Sequence, residues 1–209
     1  RAKDIRWPVA KNKFFCEKAF LKLFKEKKFP VIIIRSGHIY NYFTVPSNII
    51  GLGGNLIKLL KSNKPAIIFK KNIKRSILHS KDFAKILIKL LNSSKDIKGK
   101  IFNISSSKVI TWEKIYRLYF KLLKIKPKFK YVDTQKVYNI NKNIYYALVG
   151  DRNKSTIFNN SNLKKYIKNY KEETIFENGI KQIIKYQKKF KNLGIDKKIE
   201  KIYDSLINQ

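Results

Sequence analysis

The sequence predicts an α/β fold, and three observations carry that reading. Val31-Ile32-Ile33-Ile34 is an unbroken β-branched run with no alternation, the pattern of a strand buried on both faces of a parallel sheet. Short runs of this kind alternate along the chain with stretches whose apolar residues recur at helical spacing. Proline, glycine and serine fall between them, at Phe29-Pro30, at Ser36-Gly37 and at Gly51, Gly53 and Gly54.

Helical character runs from Trp7 to Lys28 and is broken by Phe29-Pro30. After the Val31 to Ile34 strand, the glycine-containing loop leads to an apolar-periodic segment from Leu56 to Leu60. Strands are expected at Ala66 to Phe69 and Ser76 to His79, with a basic turn between them. Ser80 is placed as an N-cap for a helix whose apolar face holds Phe83, Leu87, Leu90 and Leu91, opposite Lys81, Lys85 and Lys89. Lys100 to Ile104 reads as a strand, and Thr111 caps a helix to Leu123. From Lys124 to Tyr131, lysine alternates with larger side chains, which predicts an extended stretch with one basic side. Thr174 with Glu177 has capping-box spacing and opens a helix to Phe190, and Asp196 to Ile207 closes the chain as a short helix.

A chain of 209 residues with 44% hydrophobic residues is long and apolar enough for a sizeable core. No apolar run is long enough to span a bilayer, and no segment has the form of a signal peptide. The sequence starts at Arg1 and contains no methionine, so upstream sequence is expected. The single Cys16 excludes an internal disulfide, fits a reducing compartment and is read as a small helix residue rather than a reactive thiol. His38 and His79 have no cysteine or acidic cluster around them at metal-ligand spacing, so no metal site is expected. Charge is the outlier, with 48 Lys and Arg against 14 Asp and Glu and a net charge of +34. AT-rich codons account for much of the lysine but not for the shortage of acids. Such a chain repels itself unless a polyanion neutralises it, and RNA is the commonest polyanion a soluble protein meets.

Several stretches resemble one family in order and spacing. Lys13-Phe14-Phe15-Cys16-Glu17 is similar to a K-x-x-x-E helix, and residues Phe29 to Tyr40 to a "P-x-x-I-x-R-P-x-x-x-Y" strand and turn. His79-Ser80-Lys81-Asp82-Phe83-Ala84 resembles "H-x-x-D-x-A". Ile101-Phe102-Asn103-Ile104 with Thr111-Trp112 resembles a late "F-N-I … T-W". Phe158-Asn159-Asn160-Ser161 and Thr174 to Ile180 resemble the tail of the same proteins. These are the extended short-chain dehydrogenase/reductases, the NAD(P)-dependent epimerases and dehydratases. The resemblance implies the C-terminal portion of a Rossmann-type, NAD(P)-binding fold with a small mixed α/β substrate-type subdomain. Residues 1–41 and about 76–104 would be core Rossmann elements, and about 42–75 and 105–209 the subdomain, within one domain over 1–209. The N-terminal βαβ half, with its phosphate-cradling glycine loop, lies outside the sequence.

Two departures bear on activity. The glycines at 51, 53 and 54 follow the wrong strand to replace the phosphate loop, which needs a strand, a turn and a helix N-terminus. The family's acid–base tyrosine stands four residues before its lysine, and that position here is Val9, whose isopropyl group has no proton to give. Shifting the register to Trp7 and Lys11 puts an indole there instead and loses the match of Glu17. No catalytic residue is therefore assigned: Lys13 is vestigial, with an i,i+4 ion pair to Glu17 as its structural role. No cofactor is expected for this chain alone. NAD(P) would require the N-terminal half, and Lys13, Ser36, Gly37 and His38 are the residues it would then meet; otherwise His38 is a packed or capping side chain.

The expected function is a non-catalytic scaffold of this type that binds RNA, as a component of an organellar ribosome or a protein associated with one, in a plastid or mitochondrion. The chloroplast stem-loop-binding proteins are the functional analogue, and rRNA and neighbouring ribosomal proteins the partners. Phosphate contacts are expected from the turn Lys70, Lys71, Lys74 and Arg75, from the row Lys124, Lys126, Lys128 and Lys130, and from the helix face Lys181, Lys185 and Lys188. Lys164, Lys168 and Lys171 form a further row beside Tyr166 and Tyr170. The alternatives are an NAD(P)-dependent epimerase or dehydratase acting on a nucleotide-sugar, and an accessory subunit of a membrane complex. In each case the missing segment or another chain would complete the sheet.

Overall fold

The computed structural model describes residues 8–93, 95–168, 171–190 and 196–209. Helix α1 (Pro8–Lys27) ends where Lys28 turns left-handed, at φ 54°, two residues before Pro30. Strand β1 (Ile33–Ser36) follows and pairs in parallel with β5 (Ile101–Ile104), Ile33 opposite Ile101. Residue Gly37 carries the chain from this pair into β2 (His38–Tyr40), which runs parallel to β4 (Lys74–His79). A Cβ at position 37 would lie 1.9 Å from Ser105 Oγ, so glycine is what lets the two pairs meet. Gly37 N donates to Ile104 O at 3.1 Å, and Ser105 Oγ to Ser76 O at 3.3 Å, across that junction.

After β2 come α2 (Asn55–Lys61) and β3 (Ala66–Ile68), and after β4 comes α3 (Ser80–Leu91). Strand β6 (Val109–Thr111) is antiparallel to β4 and runs straight into α4 (Trp112–Leu123). Strand β7 (Phe129–Tyr131) pairs in parallel with β3. Then follow α5 (Thr134–Ile140), α6 (Lys142–Ala147), a π-helical turn at Leu148–Arg152, α7 (Ser161–Tyr166), α8 (Phe176–Lys189) and α9 (Lys197–Ile207). Among the described residues no helix is long and apolar enough to cross a membrane.

Two hydrophobic clusters hold these elements. In the larger one, α4 turns Trp112, Ile115, Tyr116 and Tyr119 onto one face, at helical spacing, against Leu56 and Leu60 of α2, all of β3, and Ile180 and Ile183 of α8. The last helix, α9, is stitched to this cluster over long sequence distances. Asn55 Nδ2 donates to Asp196 O at 2.6 Å, Asp196 N returns a bond to Asn55 Oδ1 at 3.0 Å, and Tyr203 Oη donates to Pro65 O at 2.7 Å. The smaller cluster joins Leu78, Ile86, Leu90, Phe102, Ile104, Leu163 and Ile167.

Several expectations are corrected here. The strand begins at Ile33 rather than Val31 and is not buried on both faces: Ile33 and Ile34 are half-buried, Arg35 and Ser36 exposed, and among the described residues β1 pairs with β5 alone. His79, not Ser80, caps α3, its Nδ1 accepting Lys81 N at 3.1 Å. On α3, Ile86 is buried and Leu91 exposed, so the apolar face is rotated from the one expected. Thr174 caps nothing; its amide bonds to Asp82, and Ile175 stands at the start of α8. Lys124 is the left-handed end of α4, and only Phe129–Tyr131 of the lysine-alternating stretch is strand. Thr111 does cap α4, accepting Lys114 N at 3.3 Å, and Asp196 caps α9. Trp7 and Tyr170 lie outside the described residues.

The one-sided pairing of β1 has a measurable signature. Ile33 N and Gly37 N donate to β5 and its flank, so by strand alternation Ile34 N and Ser36 N point to the open edge. Residue-resolved hydrogen exchange should find Ile33 and Gly37 protected while Ile34 and Ser36 exchange at nearly the unprotected rate. Equal protection at all four would show that a second strand covers the edge.

Candidate functional site

Helix α1 lies along β1 and leaves an open trough of about 820 Å³ between them. Val9, Asn12, Lys13, Cys16 and Glu17 line it from the helix, and residues 31–36 line it from the strand side. The expected Lys13–Glu17 pair is not formed. Glu17 instead accepts Arg35 Nε at 3.0 Å and the neighbouring Arg35 nitrogen, which ties the helix to the strand and raises the Arg35 pKa. No ion-pair or hydrogen-bond partner holds the Lys13 ammonium among the described residues. Val9, 47% exposed, lines the helix wall of the trough. Ser36 closes the strand end of the trough, and Cys16 is exposed within it.

Beyond Gly37, a second group of side chains converges that spacing alone did not single out. Trp112, buried at the start of α4, has the guanidinium of Arg75 5.6 Å from its ring centre and that of Arg152 5.8 Å away. Its indole Nε1 donates to Arg152 O at 2.9 Å. Asp151 is shared between the two cations, accepting Arg75 Nη1 at 2.8 Å and lying 3.3 Å from Arg152 Nε. Arg75 also donates to Lys154 O and Thr156 Oγ1, and is only 4% exposed. It is therefore no part of a surface row for phosphates, as the sequence had suggested. A buried guanidinium stripped of its carboxylate costs about 3–5 kcal/mol, so Asp151 is needed wherever Arg75 is.

His38 completes this cluster. Arg152 Nη1 stands at its Nδ1, and a guanidinium can only donate, so Nδ1 accepts and the ring hydrogen is assigned to Nε2. Burial, reinforced by the Arg152 and Arg75 charges, holds the imidazole well below its ordinary pKa. His38 is thus neutral, and its ring packs edge-on to Trp112 at 5.7 Å. The signal that pointed to this cluster was faint: an Asp-Arg pair after Gly150, in a chain with few acids.

The remaining basic residues are distributed over the surface. Lys70, Lys71 and Lys74 are exposed, as are Lys124, Lys126 and Lys128, while Lys130 is half-buried. Parallel pairing of β3 with β7 sets the two groups at opposite ends of the pair, Lys124, Lys126 and Lys128 before β7 and Lys70 and Lys71 after β3, where the Lys71 ammonium lies 4.8 Å from the Tyr131 ring centre. Lys181, Lys185 and Lys188 are exposed on α8, with Lys181 paired to Glu177 at 3.1 Å. Lys164, Lys168 and Lys171 are exposed too, but α7 ends at Tyr166, so they share no helix face. No group of three or more potential metal ligands occurs among the described residues.

No protein-family profile and no curated protein matches this sequence. Solved structures do match the fold. UDP-glucuronic acid 4-epimerase from Bacillus cereus, in complex with UDP-glucuronic acid and NAD, aligns over 88% of this chain and 53% of its own, at 16% identity and a TM-score of 0.66. dTDP-glucose 4,6-dehydratase from Bacillus anthracis, in complex with NAD, aligns over 87% of this chain and 52% of its own, at 18% identity and a TM-score of 0.67. UDP-glucose 4-epimerase from Thermotoga maritima, with UDP-glucose, aligns over 87% and 53%, at 16% identity and a TM-score of 0.62. The chain spans about half the length of the structures it matches. Its architecture is that of a partial Rossmann-type α/β fold, shared with these structures over about half of their length.

Proposed function

We propose that this chain is the substrate-side half of a short-chain dehydrogenase/reductase-like unit, completed by a nucleotide-binding half upstream or on another chain. In this unit nucleotide-type ligands bind but tyrosine-driven proton transfer is lost. The observation that carries the reading is the trough itself, with an open strand edge, an unpaired Lys13 and a valine at the acid–base position. Residues 1–41 and 76–104 then belong to the Rossmann side of the unit, and the rest to the ligand side. The solved relatives in complex with NAD, or with UDP-glucuronic acid or UDP-glucose, favour NAD(P) and a nucleotide-sugar as the ligand classes. The residues here suit the nicotinamide end of a dinucleotide, because Lys13 and Ser36 line the trough while no glycine loop of the phosphate-cradling kind occurs among the described residues. Joined to a cofactor-binding half, the chain should bind NAD(P) yet turn over no nucleotide-sugar. Val9→Tyr should then raise turnover by about a hundredfold or more, the usual contribution of a positioned acid or base. Native turnover that vanishes in Lys13→Ala would place the proton-transfer group elsewhere and overturn this reading.

His38 does not line the trough, but its neutrality has a stability consequence. The folded-state pKa is depressed, so the unfolded chain binds the extra proton first. Stability should be insensitive to pH above about 6.5 and fall as pH drops below it. His79, also depressed by burial, adds a share of the same sign. Urea titrations of His38→Asn at pH 7 and pH 5.5 should show a smaller loss on acidification than the native chain. An unchanged loss would mean that His38 is charged in the fold.

A second reading, an RNA-binding scaffold, is favoured by a separate observation: Lys70, Lys71 and Lys74 stand exposed together at the turn between β3 and β4. No carboxylate pairs with any of these lysines among the described residues. Affinity for structured RNA should fall steeply with salt, each phosphate contributing about −0.7 to −0.9 to the slope of log K against log salt. Replacing Lys70, Lys71 and Lys74 together by glutamine should flatten that slope by roughly 2 to 3 and leave the melt unchanged. A slope that ignores the substitutions would exclude this turn as the contact surface.

A further inference from the structure

Toward the C-terminal end of β4, residues 172–174 cross between α3 and the loop after β5, and carboxylates hold their course. Asp82 of α3 accepts the amides of Glu173 at 3.4 Å and Thr174 at 3.0 Å. Glu172 accepts Ser106 Oγ at 2.7 Å, Ser107 N at 2.7 Å and Ser107 Oγ at 3.1 Å. Glu173 pairs with Lys85. Beneath this crossing lies a cavity of about 310 Å³, within the size range of small-molecule sites. It shares no lining residue with the trough between α1 and β1.

The polar groups that line this cavity divide unevenly. Its carboxylates, Asp82 and Glu172, already accept two and three hydrogen bonds from the crossing and the serine loop. The groups left over are the Thr174 hydroxyl, which can donate or accept, and four side chains that can donate. His79, 6% exposed, uses Nδ1 to cap α3, so its hydrogen is assigned to Nε2, which is buried without a partner. Tyr40 is 1% exposed, and its hydroxyl has no partner among the described residues. Burial, with Asp82 and Glu172 nearby, pushes its pKa upward, so it keeps its proton. Lys108 and Lys114 at the rim are exposed, and their ammonium groups have no partner either. The rest of the lining is apolar, including Ile77, Ile110 and Phe176.

We propose that this cavity binds a small organic acid, a carboxylate on an aromatic or branched aliphatic body. The carboxylate takes the donors of Tyr40, His79, Lys108 and Lys114, and the body lies against Ile110 and Phe176. A neutral amide of the same shape offers one acceptor oxygen and no charge, and an amine offers neither, so the unsatisfied donors discriminate among the three.

The test titrates phenylacetate into the whole chain, with phenylacetamide, phenethylamine and inorganic phosphate as comparators. Saturation-transfer NMR and the melting temperature are the readouts. Phenylacetate should bind and raise the melting temperature. The amide should bind about tenfold more weakly, the loss expected for one charge-assisted hydrogen bond, and the amine and phosphate should not bind. Tyr40→Phe should weaken phenylacetate about tenfold. Lys108→Gln with Lys114→Gln, both at exposed positions, should erase the preference of acid over amide without affecting the fold. Equal binding of acid and amide, a preference that survives the lysine pair, or phosphate binding as tightly as phenylacetate would each overturn the assignment. Because no residue here lines the trough, these outcomes leave the reading of the chain as a dehydrogenase-like half untouched.

Discussion

Forty-eight basic side chains surround fourteen acidic ones, and the tertiary structure depends on where those few carboxylates sit. Every Asp and Glu among the described residues accepts a hydrogen bond or joins an ion pair. Asp151 holds two arginines against Trp112, Glu17 ties α1 to β1 through Arg35, and Asp82 and Glu172 fix the crossing at 172–174. Glu200 and Asp204 of α9 reach Lys58 and Lys64, and Asp133 and Asp196 cap helices. In a surplus of positive charge, a carboxylate lowers the repulsion of its surroundings as well as making its own contact. Exposed pairs of this kind contribute about 0–1 kcal/mol each, so the weight falls on the buried one, Asp151 with Arg75.

Periodicity and punctuation made most elements legible in advance. The strands at β3, β4 and β5, the helix α4 with its threonine cap, and the helix α9 follow from local pattern. Caps chosen from propensity alone were less secure. Ser80 and Thr174 are good candidates by residue type, yet His79 lies one position earlier with an acceptor nitrogen, and Asp82 draws the Thr174 amide into a tertiary contact. The same limit applies to charge. Arg75 and its neighbours look alike as a run of basic residues, but strand alternation turns Arg75 inward to a carboxylate 76 residues away, while Lys74 faces outward. Glu17 had a lysine at helical spacing and took Arg35 instead, because a forked guanidinium can bind both carboxylate oxygens.

The candidate site was legible in part for the same reason. Lys13, Ser36, Gly37 and His38 sit on contiguous motifs, and the first two do line the trough. Trp112, Asp151 and Arg152 meet His38 only because β6 leads into α4 and the π-helical turn passes beside it, a convergence with no local signature. Gly37 is the hinge of this arrangement: without a Cβ it admits Ser105, which aligns the β1–β5 pair with the β2–β4 pair.

The stitching of α9 carries a kinetic consequence. Asn55 finds its partner at Asp196, 141 residues further on, and Tyr203 and Leu206 fill the same cluster as Leu56 and Leu60. Contacts that far apart in sequence are slow to form, since a long loop must close before they are rewarded. Until α9 has emerged from the ribosome, the apolar side of α2 and β3 has no final cover, whereas the smaller cluster, complete by Ile167, is free to assemble. The larger of the two clusters is therefore the one that must wait longest during synthesis.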